Sequence, residues 1–169
     1  MKKLFFFSIL FSFLISCSVK QKQLTHYLST LENFKVFSPS KEESIIIDSL
    51  KIESRKFSEK CKREKLNCLE EELLQYAYFK TGTTGFRMII LKQFKTNSRS
   101  KEGENKLLVT IGKKNNIEKI KFLKTTDEDS KKQIENIFKS KELNQWVSAK
   151  EYIFPVETQF EISVFIKKK

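Results

Sequence analysis

The chain has 169 residues, with 33 basic and 21 acidic side chains and a formal net charge of +12. This length fits one domain with additional segments and is short for two full domains. Its single histidine gives no convincing Ser-His-Asp or Cys-His set and no cluster of metal-ligating residues. We therefore expect neither an enzyme nor a site for a cofactor or a metal.

The first residues have the order typical of a secretory signal. Residues 1–3 read Met-Lys-Lys, residues 4–15 are apolar apart from two serines, and residues 14–17 read Leu-Ile-Ser-Cys. The apolar run is too short to cross a bilayer, which takes about 20 residues. An ordinary cleavage site would more often show an A-x-A-like sequence, whereas residues 14–17 resemble the lipobox of bacterial lipoproteins. The resemblance implies a signal peptide at 1–16 and a diacylglycerol on Cys17.

Such a signal predicts a place in the cell envelope. By resemblance to sorting in many Gram-negative bacteria, Ser18 implies the outer membrane, with the protein facing the periplasm. The bilayer is the expected partner of Cys17, and nucleic acid is not expected there. Cleavage would remove Lys2 and Lys3 and leave ten more basic than acidic side chains. This surplus either serves solubility or indicates an anionic neighbour, namely lipid headgroups, cell-wall polymer or an acidic protein surface.

Two further cysteines, Cys61 and Cys68, lie in a compartment that permits disulfides. Seven residues along one continuous helix would separate them by about 10 Å, which is too far for a bridge. A disulfide therefore needs a helix break, which Asn67 would supply as an N-cap with Glu70 three residues later. The sequence favours a bridge over two free thiols, and it disfavours a metal site because His26 is distant.

Residues 17–60 are predicted to be a tether or a partly structured segment. Four apolar residues recur at helical spacing and predict a short amphipathic helix: Leu24, Tyr27, Leu28 and Leu31. Residues 38–40 read Ser-Pro-Ser and predict a break. Residues 45–52 fit either a strand or a second short helix, and the sequence does not decide between them.

The middle of the chain is predicted to contain one helix, from Asn67 to about Lys80. It ends at a turn in residues 81–85, which read Thr-Gly-Thr-Thr-Gly. These glycines lack the spacing of a phosphate-binding loop, which argues against nucleotide binding. Residues 86–94 are apolar and extend the packing, and residues 95–105 form a polar loop.

The C-terminal third has the clearest pattern. Residues 107–111 predict a strand, residues 112–116 a turn, and residues from Ile117 onward a return strand, which together make a hairpin. Thr126 or Asp127 is predicted to cap the helix that follows. The buried stripe of that helix is predicted to consist of Ile134, Ile137 and Phe138.

The last predicted strand spans residues 156–166 and follows a loop that contains Trp146 and Pro155. Its alternation puts four residues on the core side: Phe160, Ile162, Val164 and a shifted Ile166. Three residues are predicted on the opposite side: Gln159, Glu161 and Ser163. The order helix, strand, strand, helix, strand predicts an α+β domain, in which a small antiparallel sheet of about three strands packs with two helices.

This pattern resembles the C-terminal domain of TonB proteins, a periplasmic module that engages outer-membrane transporters. The similar segments are residues 109–111, 117–124, 134–138, 146–150 and 154–156. The cysteine pair ahead of a helix also looks like a variant of this family that carries two cysteines there. The resemblance covers residues 61–166 and implies a TonB-like domain at 61–169.

In TonB proteins, a short segment of the receptor adds as a strand next to the last strand of this domain. The resemblance thus implies a lipid-anchored binding protein, linked to outer-membrane transport, that engages a peptide or protein partner by strand addition. It assigns partner binding to five residues of the last strand: Glu157, Gln159, Glu161, Ser163 and Phe165.

The chain also departs from TonB proteins. Those transducers have an N-terminal membrane helix and a Pro-rich spacer, whereas this chain has a lipobox and two prolines, Pro39 and Pro155. We therefore expect no force transmission. Ser148 replaces the usual proline and residues 112–116 lack the usual Asp-x-x-Gly, so different loop geometry is expected. The alternative function is a basic structural lipoprotein that contacts cell wall or membrane surface and has no transport role.

Overall fold

A computed structural model describes residues 24–68 and 74–168. The predicted signal peptide, Cys17 and Ser18 lie outside the described residues, and so does Lys169. Within the described ranges the chain is an α+β protein whose strand pairs are all antiparallel.

The described residues form three helices and ten strands. The helices are α1 (Lys41–Arg63), α2 (Gly82–Gln93) and α3 (Glu128–Phe138). The long strands are β1 (Leu24–Leu28), β2 (Glu32–Val36), β5 (Gly103–Ile111), β6 (Ile117–Lys124) and β10 (Thr158–Lys168). The short strands are β3 (Leu74–Gln75), β4 (Tyr78–Phe79), β7 (Trp146–Val147), β8 (Ala149–Glu151) and β9 (Phe154–Val156).

The five long strands make the main sheet, in the order β1-β10-β5-β6, with β2 also paired to β10. On one side β10 pairs with β5 along its length, from Thr158 opposite Ile111 to Ile166 opposite Gly103. On the other side it pairs with β2 at its beginning and with β1 at its end. The last strand is therefore an interior strand of the sheet. Two small sheets, β3-β8-β9 and β4-β7, complete the described strands.

The core lies between the main sheet and helices α2 and α3, and aromatic rings fill its centre. The Phe86 ring centroid is 5.1 Å from that of Trp146 and 6.0 Å from those of Phe138 and Phe160. The predicted core side of β10 is confirmed, because Phe160, Ile162, Val164 and Ile166 are all buried. Such alternation is expected of a strand with one face on a core.

Two elements of the C-terminal third agree with their local sequence signals. The β5–β6 hairpin is confirmed, and Asn115 has a φ of 60° in its turn. Helix α3 is confirmed with Asp127 as its N-cap, since the carboxylate accepts the Ser130 N–H at 2.7 Å. The predicted stripe of α3 is also buried: Ile134, Ile137 and Phe138.

The predicted helix at Leu24 to Leu31 is wrong, because this segment contains β1. Leu24, His26 and Leu28 are covered, whereas Thr25 and Tyr27 are exposed, so the burial alternates with a period of two. Backbone pairing with β10 determines the strand conformation, because the spacing of Leu24 and Leu28 fits a helix and a strand equally well. Because β1 and β2 belong to the main sheet, the domain includes Leu24 onward, and the predicted boundary at residue 61 is too late.

Residues 45–52 are helical, as part of α1. A capping box starts this helix: the Ser40 hydroxyl accepts the Glu43 N–H at 3.2 Å, and the Glu43 carboxylate accepts the Ser40 N–H at 2.7 Å. That bond from Ser40, together with Lys113, lowers the pKa of Glu43 below its usual value. The box fixes the beginning of a helix 23 residues long.

The predicted helix from Asn67 to Lys80 is wrong for its described parts, since residues 67–68 are not helical and residues 74–80 contain β3 and β4. These two-residue strands pair with β8 and β7, so partners about 70 residues away along the chain determine the local structure. Residues 82–85, predicted as part of a turn, instead begin α2. Gly82 has a φ of +74°, and the helix continues from Phe86 to Gln93.

Candidate functional site

The predicted partner-binding residues of the last strand are engaged within the protein. Phe165 stacks on Tyr27 of β1 with ring centroids 4.8 Å apart. The Gln159 amide donates to the Thr110 hydroxyl at 3.1 Å, and the Glu157 carbonyl accepts the Phe37 N–H at 2.9 Å. The prediction of a free docking edge at the last strand is therefore wrong, since β1 and β2 occupy the edge opposite β5.

Glu161 and Ser163 help to hold these neighbours. The Glu161 carboxylate lies 2.6 Å from the Lys106 ammonium and accepts the Asn33 amide at 2.8 Å. These two bonds, the Lys106 bond first, lower the pKa of Glu161. The Ser163 hydroxyl donates to Glu104 at 2.7 Å, and this bond is the main reason why the pKa of Glu104 is lowered. Glu161 thus links β10 to β5 and β2, and Ser163 links β10 to β5.

Cys61 and Cys68 form a disulfide, with their Cα atoms 6.1 Å apart. The required helix break comes earlier than the predicted N-cap at Asn67. Helix α1 ends at Arg63, Lys65 adopts a positive φ of 53°, and the Leu66 N–H donates to the Cys61 carbonyl at 2.9 Å. The chain therefore turns back beside the last turn of α1, which brings the two sulfurs together.

A groove of about 920 Å³ follows the second half of α1. Two lines of helix residues contribute to it. An apolar stripe consists of Leu50, Phe57 and Cys61, and a basic stripe consists of Lys51, Arg55 and Lys62. Spacings of four, seven and eleven residues keep each stripe on one face of the helix. We call this feature the α1 groove.

The opposite wall of the α1 groove is the turn between β8 and β9. It supplies Tyr152, which has a positive φ of 54°, and Ile153, whose side chain is 71% exposed. The Lys51 ammonium holds this turn to the helix through Glu151 at 3.2 Å. Leu66 and the disulfide close one end of the groove. Long-range folding thus assembles the groove from two segments about 100 residues apart.

The exposure of the groove's apolar side chains is unusual for residues of their size. Phe57 is 59% exposed and Leu66 55%, while Ile153 is still more exposed. Single exposed apolar residues are common, but several that line one concavity mark an interaction surface. The α1 groove is therefore the candidate functional site.

The charge around the α1 groove is mostly positive. Residues 51–66 contain seven basic and three acidic side chains. In the described part of the chain, Arg55 and Lys62 form no ion pair within 4 Å, whereas Lys51 is paired with Glu151 and Asp48. Glu53 is the acidic residue among those that line the groove. The site is thus suited to an anionic ligand with apolar groups.

The described ranges 24–68 and 74–168 contain no group of three His, Cys, Asp or Glu side chains arranged to hold a metal. The Nε2 atom of His26 lies 3.1 Å from the Leu91 carbonyl, and its ring packs edge-on against Phe94. None of the helices in those ranges is long and apolar enough to cross a membrane.

Sequence reasoning missed the α1 groove because its walls are distant in sequence. One local signal was readable: Ser40 and Glu43 have the spacing of a capping box, which would have predicted a helix from residue 41. With that helix, the exposed Phe57 and the surrounding lysines would have formed a mixed apolar and basic face. Comparison of the chain with protein-family models, curated proteins and solved structures gives no match.

Proposed function

We propose that the protein is a lipid-anchored component of the cell envelope that binds a polypeptide partner in the α1 groove. The observation that carries this proposal is the groove itself, with large apolar side chains exposed in a concavity. Beside them lie Arg55 and Lys62, which form no ion pair with the residues that the structure describes. Apolar anchors surrounded by polar side chains are the usual composition of sites that bind other polypeptides. The signal and lipobox in the sequence support the anchor and the location.

The geometry of the domain suits such a role. Six residues would separate an acylated Cys17 from Leu24, and the seven steps between the two Cα atoms span about 25 Å at most. Leu24 pairs with Lys168, at the end of the sheet where β5 begins. The other end of β5 is about 27 Å away, because its nine residues rise about 3.4 Å each. A short tether would therefore hold one end of the sheet close to the bilayer.

The beginning of α1 lies at the opposite end of the sheet, since Lys113, two residues after β5 ends, pairs with Glu43 at 3.1 Å. The β8–β9 turn lies on this side too, since the Ser148 hydroxyl beside β8 donates to the Gly112 carbonyl at 2.5 Å. An anchored protein would thus present the groove away from the membrane, where a partner can reach it.

The resemblance to TonB C-terminal domains supports a binding role and leaves the mode of binding open. Strand addition at the last strand is not part of this proposal, because β10 has neighbours on both sides. A link to outer-membrane transport remains a proposal from the resemblance alone.

The anchor is tested by labelling cells with a fatty-acid probe. Wild-type protein should incorporate the probe, and the Cys17→Ala variant should not, because the thioether requires the thiol. Labelling that persists in the Cys17→Ala variant would disprove the lipoprotein assignment.

The partner is tested by photo-cross-linking in cells, with a photoreactive amino acid in place of Phe57. A matched control carries it in place of Ile45, which is 72% exposed on the same helix but does not line the groove. We expect protein adducts from position 57 and few from position 45. Equal adducts at both positions, or none at position 57, would contradict a binding role for the groove.

A further inference from the structure

We infer that the partner segment bound by the α1 groove is an acidic peptide with apolar anchor residues. This inference rests on the proposed binding function and adds the chemistry of the partner. It follows from two features of the groove: the spacing of its cations and the exposed apolar residues beside them.

The cations form a line that a linear ligand can follow. Lys51, Arg55 and Lys62 are spaced by four and seven residues, so they lie on one face of α1 and span about 16 Å along its axis. Lys51 is paired with Glu151 and Asp48. Arg55 and Lys62 form no ion pair with described residues, so carboxylates of a ligand can complement both of them. About five residues of extended peptide cover this length.

The apolar residues run beside this line. Phe57 lies on the helix face next to the cations, and Ile153 stands on the opposite wall, with Leu66 at the end. A ligand that buried these three side chains would remove them from water, which is the main source of affinity in such sites. The pairing of apolar and cationic stripes therefore selects a segment with both apolar and acidic side chains.

A bilayer with anionic headgroups has similar chemistry, but the geometry favours a peptide. The surface is concave, whereas a bilayer presents a flat face to a domain. The groove also lies at the end of the sheet remote from Leu24, which an anchored Cys17 would hold within about 25 Å of the membrane. A peptide can enter the groove at that end without any movement of the domain.

The test uses the chain from residue 17 onward with Cys17→Ser, so that no detergent is needed. A displayed library of random 12-residue peptides is selected on this protein, and the selected peptides are measured by fluorescence anisotropy. We expect enrichment of Asp and Glu together with Leu and Phe. Replacing the Glu and Asp residues of a selected peptide by Gln and Asn should weaken its binding to the same protein at least tenfold. This comparison needs no variant of the protein.

Protein variants then locate the site. The double variant Arg55→Glu, Lys62→Glu should weaken binding at least tenfold. The control Lys119→Glu, Lys121→Glu changes two exposed lysines of β6 by the same charge, and it should change binding less than twofold. Circular dichroism checks that both variants are folded.

Three results would overturn the inference. They are selection of neutral or basic peptides, equal weakening by both double variants, and binding to phosphatidylglycerol vesicles with no peptide selected. The third result would assign the groove to a membrane surface. The cross-linking experiment separates the two proposals: adducts at position 57 formed with a neutral or basic segment would refute the acidic chemistry and leave the binding function intact.

Discussion

Replacement of Phe160 by Ala tests whether β10 is an interior strand of the sheet. The Phe160 side chain is fully buried, and its ring centroid lies 5.2 Å from that of Trp146 and 6.0 Å from that of Phe86. A buried Phe→Ala change costs about 3–5 kcal/mol, because it loses apolar burial and leaves a cavity. This is a large part of the roughly 5–15 kcal/mol that stabilises a typical domain. The midpoint of thermal unfolding should fall by roughly 8–16 °C.

Circular dichroism during heating and during urea titration measures this effect. Phe34→Ala is the matched control, since the Phe34 ring lies 5.4 Å from that of Phe160 but is 47% exposed on β2. The control should cost less than half as much. Equal losses of stability in the two variants, or a loss below about 1 kcal/mol for Phe160→Ala, would refute the described position of β10.

Three further changes test local features of the structure. Ser148→Ala should lower the free energy of unfolding, measured in urea, by about 1–3 kcal/mol, because the buried Gly112 carbonyl loses its donor. An unchanged free energy of unfolding would contradict this hydrogen bond. Burial alone would raise the pKa of Asp127, but hydrogen bonds led by that from the Lys101 N–H lower it below 3.8. The stability advantage of wild type over Asp127→Asn should therefore be complete above about pH 5 and disappear as the pH falls below 3.8; a constant difference would exclude this linkage. Reduction of the Cys61–Cys68 disulfide should cost about 2–3 kcal/mol, because the closed loop is short, and two alkylatable thiols in protein from the envelope would show that no bridge forms there.

The parts of the fold that the sequence predicted are those with local causes. The β5–β6 hairpin follows from a turn in which Asn115 tolerates a positive φ, and α3 follows from the Asp127 cap and its apolar stripe. Strand β1 could not be predicted in this way, because Leu24 pairs with Lys168 at the other end of the chain. Its short apolar run fits two periods, and only the distant partner selects one of them.

The α1 groove shows a second limit of local reasoning. The turn at Tyr152 and the helix residues near Phe57 are individually polar or ambiguous segments in the sequence. The ion pair between Lys51 and Glu151 joins them across 100 residues of sequence. The resemblance to TonB domains predicts a binding site at the last strand, whereas the exposed apolar side chains line the α1 groove.

The pairing of the first described strand with the last one affects the order in which the protein can fold. The main sheet cannot close until β10 is available, because β1 and β2 both pair with β10. Contacts so distant in sequence make folding slow, since a long loop must close before they form. If the proposed signal exports the chain amino-terminus first, the main sheet can close only after β10 has also crossed the translocation channel.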